Sequence, residues 1–178
     1  MFACDIVNYD ELISLKTFAL EKFGRIDIVF ANAGFTSGST SYLEGNTPNE
    51  WKDMVMTNVY GAAITANVFL SELVKTQGQL ILTGSVIGRY NVPGRLYSAT
   101  KWAVTAMAES IRKEMIGTNV RVTLLEPGAV DTPFWDEGTT FKASLTPDEV
   151  ADVVVFATRQ PKNVDLNEIL LRPTGQNV

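Results

Sequence analysis

Short runs of apolar and β-branched residues alternate along this chain with longer amphipathic segments. This alternation is typical of an α/β fold, in which a parallel sheet is covered by helices. We expect strands at residues 2–7, 26–31, 79–83, 120–125 and 168–172. Because the chain has 178 residues, 46% of them hydrophobic, it is long enough for a single domain with a substantial core.

Capping signals locate several of the helices between these strands. Asn8 and Glu11 resemble a capping box, which opens a helix that Gly24 stops. Thr146 and Glu149 form a second such pair, ahead of a helix that reaches residue 158. Further helices are expected at residues 47–56, 58–75 and 97–116.

Polar and small residues follow three of the expected strands. They are residues 32–34, Ser85 and residues 127–128. In an open parallel sheet, ligands bind outside the carboxyl ends of the strands, so these residues are candidates for a ligand site. Gly34 and Gly128 would let a ligand approach the backbone closely, although a glycine after a strand is more often only a turn.

Each polar residue also has an ordinary structural explanation. Asn32 could satisfy the backbone of its own turn, Ser85 could cap the turn that follows it, and Asn58 could be a helix N-cap. The loop at residues 32–45 is rich in Gly, Ser and Thr, and loops in this position usually face a ligand.

Tyr97 and Lys101 lie four residues apart in an expected helix, and therefore on one face. A tyrosine normally titrates near pH ~10, but a neighbouring cation favours the phenolate and lowers the pKa. We therefore expect Tyr97 to be a general acid or base. The same spacing on an amphipathic helix usually means only a half-exposed ring beside a solvated charge.

The composition excludes several classes of function. A formal net charge of -5 argues against a nucleic-acid-binding surface. The chain has no histidine and one cysteine, Cys4, which excludes a Ser-His-Asp triad, His-ligated zinc and a Cys-cluster metal site. With no long apolar run and no leader-like segment, we expect no membrane span and a cytoplasmic location.

Together, these residues resemble the short-chain dehydrogenase/reductase family of NAD(P)-dependent oxidoreductases. The matching motifs follow in order over nearly the whole chain: Asn32-Ala33-Gly34, Thr57-Asn58-Val59, Thr83-Gly84-Ser85, Tyr97 with Lys101, and Pro127-Gly128-Ala129-Val130-Asp131-Thr132. The resemblance implies that hydride transfer interconverts a small-molecule alcohol and a carbonyl, with NAD or NADP as cofactor. Residues 167–176 resemble the ending of members with NADP preference and small hydroxy-acid or broad carbonyl substrates, which favours NADP.

The resemblance also implies roles for individual residues. Tyr97 would exchange a proton with the substrate oxygen, Lys101 would lower its pKa and bind the nicotinamide ribose, and Ser85 would hydrogen-bond the substrate oxygen. Asn58 would hold the local backbone and a water that relays protons towards Lys101. The cofactor-binding residues that it implies are Asn32, Ala33, Gly34, Tyr97, Lys101, Pro127, Gly128, Val130 and Thr132, and no metal ligand is implied.

Two aromatic residues, Phe134 and Trp135, follow the last of these motifs. The family places a substrate-covering loop at this point, so both could line the pocket. Aromatic residues also fill cores, and the sequence favours neither alternative.

The chain departs from the family pattern on its amino-terminal side. Family members begin with a strand, a glycine-rich phosphate-binding turn, a helix and a second strand, which have no counterpart here. We therefore expect a Rossmann-like three-layer parallel sheet that lacks the first two strands and their helices, and weak dinucleotide binding. Residues 26–31 become an edge strand, covered either by residues 2–7 through a right-handed crossover or by a partner chain.

Two functional hypotheses follow. The first is an oxidoreductase of the short-chain dehydrogenase/reductase type. The alternative is a catalytically silent truncated homologue that serves as a dimerising or regulatory module. Because the family dimerises through helices that correspond to residues 58–75 and 97–116, we expect a homodimer or homotetramer, with no nucleic-acid or membrane partner.

Overall fold

The computed structural model describes residues 1–36, 42–43, 47–135 and 143–177. Within these residues, the strands are β1 (Ile28–Ala31), β2 (Gln79–Thr83), β3 (Arg121–Pro127) and β4 (Glu168–Leu171). They form one parallel sheet in that order, with Val29 beside Leu80 and Leu80 beside Val122. The Rossmann-like α/β fold expected from the sequence is confirmed.

The helices begin and end largely where the capping signals predict. Their bounds in the described residues are α1 (Tyr9–Phe23), α2 (Pro48–Val55), α3 (Ala62–Thr76), α4 (Leu96–Glu114) and α5 (Pro147–Thr158). The Asn8 side chain accepts hydrogen bonds from the backbone N–H groups of the first turn of α1, and Gly24 ends this helix with φ at 73°. Thr146 and Glu149 form the predicted capping box of α5.

The helices expected at residues 47–56 and 58–75 are one continuous helix, because a π-helical turn at Met56–Gly61 joins α2 to α3. By length and composition alone, the segment Pro48–Thr76 could cross a membrane. However, its residues Ala66, Phe69 and Leu73 pack in the hydrophobic core, and the core helix of a soluble protein can have the same length and apolar composition. The segment is therefore weak evidence for a membrane span.

The main core lies on one face of the sheet, beneath α1, α3 and α4. Alternate residues of the strands point into it, as the period of a strand requires. The strand residues in this core are Val29, Leu80, Leu82, Val122 and Leu124, and Leu12, Phe69, Leu73, Val104 and Ile111 come from the helices.

The opposite face of the sheet is covered only in part. Arg121 donates hydrogen bonds to carbonyl oxygens at the end of α5, so α5 packs beside β3 on this face. At β1, Ile28 and Phe30 are 48% and 40% exposed. The hydrophobic surface of β1 therefore faces solvent.

Residues 2–7 do not form the expected strand. They follow an irregular course, in which the Ile6 side chain packs over Gly61 and the Phe2 ring lies 5.2 Å from that of Phe18. The prediction is wrong because a strand needs a neighbour for its backbone hydrogen bonds, and these residues pair with none in the described part of the chain. Pairing of residues 2–7 with β1 is thereby excluded, and cover of this edge by a partner chain stays a prediction.

β3 runs to Pro127, two residues beyond its expected end. β4 pairs with it over this stretch, and the Gly128 N–H donates to the Leu171 carbonyl at 2.8 Å. Pro127 is tolerated because it is the last residue of the strand.

The carboxyl ends of β1, β2 and β3 bring residues 32–34, Ser85 and Gly128 to one edge of the sheet, as predicted. Of the loop expected at residues 32–45, residues 37–41 and 44–45 lie outside the described residues.

Candidate active site

A cavity of about 460 Å³ lies at this edge of the sheet. The residues predicted from the sequence that line it are Asn32, Gly34, Ser85, Tyr97, Lys101, Pro127, Gly128 and Val130. Other described residues that line it are Thr36, Thr83, Gly84, Val86, Ile87, Val92, Arg95, Ala129, Phe134, Trp135 and Gln176. Asn58, Ala33 and Thr132 do not line it.

Tyr97 and Ser85 meet inside this cavity. Tyr97 is in the first turn of α4 and only 6% exposed, and the Ser85 side chain lies near its phenol. Ser85 Oγ also accepts a hydrogen bond from the Ile87 N–H at 3.2 Å and donates to the Pro127 carbonyl at 3.5 Å. Ser85 therefore caps the turn that follows β2 and also lies beside the phenol.

The pKa of Tyr97 is raised, and the lowered value expected from Lys101 is wrong for this structure. Burial of the phenol raises the pKa, and the nearby Ser85 side chain opposes this only in part. Lys101 Nζ lies 5.6 Å from the centre of the Tyr97 ring and donates to the Thr83 carbonyl at 2.8 Å. Tyr97 is therefore neutral at physiological pH, and it is suited to donate a proton.

Lys101 is itself a buried cation. It is 4% exposed, and burial lowers its pKa from 10.5 to about 8. Below pH 8, the folded protein holds a desolvated ammonium, which opposes folding. Because the folded protein releases this proton before the unfolded chain does, the penalty disappears as the pH rises from 8 to 10.5.

We expect Lys101→Met to raise the free energy of unfolding at pH 7 by about 1–2 kcal/mol, because the relief of desolvation exceeds the loss of one hydrogen bond. The gain should shrink as the pH rises towards 10.5. Denaturant unfolding at pH 7 and at pH 10.5 measures this gain in the free energy of unfolding. The control is Lys52→Met, because Lys52 is exposed. A loss of stability at pH 7 would show that the ammonium stabilises the fold.

Asn58 lies behind the cavity, where it fixes the backbone after β1. It is 2% exposed, its Oδ1 accepts from the Phe35 N–H at 2.9 Å, and its Nδ2 donates to the Phe35 carbonyl at 2.8 Å and to Thr100 Oγ1 at 3.2 Å. A Cβ on Gly34 would lie 3.1 Å from Asn58 Oδ1 and 3.6 Å from Lys101 Nζ. Asn58 lies within a continuous helix, so it is not an N-cap.

Two aromatic residues form one wall of the cavity. The Phe134 ring meets the Tyr97 ring edge-on at 5.9 Å, and the Trp135 ring lies 5.1 Å from that of Phe134. Trp135 Nε1 donates to the Val130 carbonyl at 2.9 Å, which fixes the indole. Of the two alternatives for this pair, lining of the pocket is confirmed.

Sequence reasoning missed Gln176 and Arg95. Gln176 Oε1 accepts from the Ala129 N–H at 3.0 Å, and its side chain fills the space that a Cβ on Gly128 would need. No local signal in the sequence connects residues so far apart. Arg95 stands two residues before Tyr97, and this closeness to the predicted catalytic residue is the signal that could have found it.

Comparisons with known proteins agree with this geometry. The family model for short chain dehydrogenases matches residues 1–142. An uncharacterized oxidoreductase of Staphylococcus saprophyticus is 33% identical over 98% of this chain and 76% of its own length. An uncharacterized oxidoreductase of Listeria monocytogenes is also 33% identical, over 97% of this chain and 75% of its own length. The chain belongs to the short-chain dehydrogenase family and is an enzyme of the oxidoreductase class.

Solved structures show the same fold. An alcohol dehydrogenase from the archaeon Thermococcus sibiricus, complexed with 5-hydroxy-NADP, has a TM-score of 0.88 and 32% identity, over 98% of this chain and 74% of that one. Serine dehydrogenase from Escherichia coli has a TM-score of 0.86 and 28% identity, over 98% and 76%. A metagenomic short-chain oxidoreductase in complex with NADP has a TM-score of 0.80 and 27% identity, over 98% and 73%.

The lining of the cavity fits the nicotinamide end of such a cofactor. At Gly34, Gly84 and Gly128 a Cβ would meet the side chains of Asn58, Leu124 and Gln176, so these glycines let the cavity wall pack closely. Lys101 supplies a cation, and Ser85 supplies a hydroxyl donor beside it.

Proposed function

We propose that the protein is an NAD(P)-dependent oxidoreductase that interconverts a small-molecule alcohol and a carbonyl, with Tyr97 as the general acid and base. The observation that supports this most is that Tyr97 and Ser85 line the same cavity, with the Ser85 side chain near the phenol. Two hydroxyl groups that meet in one cavity can both hydrogen-bond a single substrate oxygen.

Tyr97 delivers the proton when a carbonyl is reduced. The carbonyl oxygen gains negative charge as hydride reaches its carbon, so it needs a donor within hydrogen-bond distance. Tyr97 is protonated at neutral pH and can donate, although burial makes it a weaker acid than a free phenol, and Ser85 donates a second hydrogen bond. In the direction of oxidation, the same phenol oxygen accepts the proton, so the phenolate must form first, and the burial that raises the pKa of Tyr97 opposes this step.

Lys101 and Asn58 support these two residues. Lys101, whose ammonium lies 5.6 Å from the centre of the Tyr97 ring, would hold the nicotinamide ribose of a bound cofactor. Asn58 holds the backbone of Phe35, and the remaining lone pair of its Oδ1 would orient a water that relays protons towards Lys101. A bound nicotinamide cofactor supplies or accepts the hydride.

We infer that the cofactor is NADP in preference to NAD, held by Asn32, Gly34, Pro127, Gly128 and Val130 along the cavity. Two of the solved structures contain NADP or an NADP derivative, which supports this preference. Ala33 and Thr132 do not line the cavity. We therefore propose that they contribute to cofactor binding only indirectly, by fixing the backbone of the neighbouring residues that do line it.

Titration with NADPH and with NADH tests the proposal. We expect weak but saturable binding, tighter for NADPH, detected as a change in nucleotide fluorescence, followed by oxidation of the nucleotide when a carbonyl compound is added. If neither nucleotide binds, the proposal is wrong, and the silent homologue becomes the better description.

Self-association through the long helices is also proposed. Tyr60, in the turn that leads into α3, and Trp102, on α4, are 41% and 42% exposed, so a partner chain on this side could cover both. A second copy of the chain that packs α3 and α4 against their counterparts would bury both residues.

We expect Trp102→Glu to weaken the dimer by about 100-fold, because it places an unpaired charge at the centre of this surface. Light scattering after size-exclusion chromatography measures the mass over a range of concentrations. The matched control is Phe156→Glu on α5, where Phe156 is 57% exposed. An unchanged mass for Trp102→Glu, or equal dissociation of both variants, would contradict this interface.

A further inference from the structure

The charged residues that line the active-site cavity are both cations. In the described part of the chain these are Arg95 and Lys101, and no carboxylate lines the cavity there. The chain as a whole has the opposite sign, with a formal net charge of -5. A local positive potential inside an acidic protein favours an anionic ligand in this cavity over a neutral one.

Arg95 has no partner for its guanidinium among the described residues. Other arginines are paired: Arg25 with Asp27, Arg89 with Glu126, and Arg112 with Glu109. Lys101 donates to the Thr83 carbonyl, and the proposed function assigns its ammonium to the nicotinamide ribose. Arg95 is therefore the lining cation that is left available to a ligand.

The position of Arg95 connects it to the reacting groups. It immediately precedes α4, and Tyr97 is in the first turn of this helix. Phe134 and Trp135 form an apolar wall beside Tyr97, so a small molecule that lies against this wall can reach Tyr97 and Ser85 at one end. Arg95 is exposed, so its guanidinium is hydrated when no ligand is bound. The planar guanidinium can donate two parallel hydrogen bonds to a carboxylate.

We propose that the substrate carries a carboxylate, and that Arg95 binds this group while Tyr97 and Ser85 hold the reacting oxygen. The substrate is then an oxo acid in the direction of reduction and a hydroxy acid in the direction of oxidation. This inference rests on the proposed function and names the substrate class for the same site.

Benzoylformate and benzoylformamide are suitable probes, because they have nearly the same shape and differ in the charge of one group. We expect kcat/KM with NADPH to be higher for the acid than for the amide. In Arg95→Gln, the ratio of kcat/KM for the acid to kcat/KM for the amide should fall by about tenfold, because one charge-assisted hydrogen bond is lost. Arg95→Lys should retain part of this preference. The matched control is Arg159→Gln, since Arg159 is exposed and does not line the cavity.

A second measurement separates this inference from the proposed function. Ligand-observed NMR measures the binding of both probes to the protein without nucleotide, where we expect tighter binding of the acid and its loss in Arg95→Gln. If no carbonyl is turned over, the proposed oxidoreductase activity fails, while this binding preference would still support the anion site.

Three results would overturn the inference. The first is equal kcat/KM and equal binding for acid and amide in the unaltered protein. The second is an unchanged ratio in Arg95→Gln. The third is a higher KM for NADPH, but not for NADH, in Arg95→Gln with the ratio retained, which would assign Arg95 to a cofactor phosphate.

Discussion

Replacing Tyr97 with Phe is expected to lower kcat for carbonyl reduction by about 10³-fold, the usual contribution of a positioned general acid. The substitution removes one hydroxyl and keeps the ring, which continues to pack against Phe134 at 5.9 Å. Cofactor affinity should change by no more than about twofold, because the phenol acts on the substrate oxygen in the transition state. Steady-state kinetics and nucleotide titration measure the two quantities separately.

The matched control is Tyr90→Phe. Tyr90 is 48% exposed and does not line the cavity, so its variant should retain the kcat of the unaltered protein. Turnover that survives Tyr97→Phe within about tenfold would mean that another group donates the proton, and the mechanism would then be wrong.

Replacing Asn58 with Leu is expected to lower the free energy of unfolding by about 3–4 kcal/mol. Asn58 makes three hydrogen bonds at a site where it is 2% exposed, two to the backbone of Phe35 and one to Thr100. Leu has a similar volume but no polar atom, so it leaves the Phe35 N–H and carbonyl without these partners. Denaturant unfolding measures the loss.

Asn49→Leu is the matched control, because Asn49 is exposed near the start of α2. Its stability should change by less than about 0.5 kcal/mol. Hydrogen exchange should also show faster exchange of the Phe35 amide in Asn58→Leu alone. A loss below about 1 kcal/mol with this amide still protected would contradict the role of Asn58 in fixing the backbone after β1.

The position of the site was predictable because it follows from local rules. Asn32, Ser85 and Gly128 each follow a strand, and the carboxyl ends of parallel strands meet at one edge of a sheet. Tyr97 and Lys101 share a helical turn, so their proximity depends on helix geometry alone. These relations need no knowledge of how distant parts of the chain pack.

Features that depend on distant contacts were not predictable. Residues 2–7 have the composition of a strand, but whether they form one depends on a neighbouring strand. The pKa of Tyr97 depends on burial beneath Phe134 and the turn that carries Ser85, and this burial outweighs the nearby charge that the sequence shows. The contact of Gln176 with Ala129 joins residues that only the complete fold brings together.

The most direct test of the central claim is the transfer of deuterium from NADPH labelled at C4 of the nicotinamide ring to a carbonyl compound. Both labelled epimers are used, so that the face of transfer does not affect the result. With one of them, mass spectrometry should detect an alcohol with a single deuterium on its carbinol carbon, formed by the unaltered protein and lost in Tyr97→Phe. The absence of labelled alcohol with both epimers, at protein concentrations where NADPH binds, would contradict the assignment of this cavity as an oxidoreductase site.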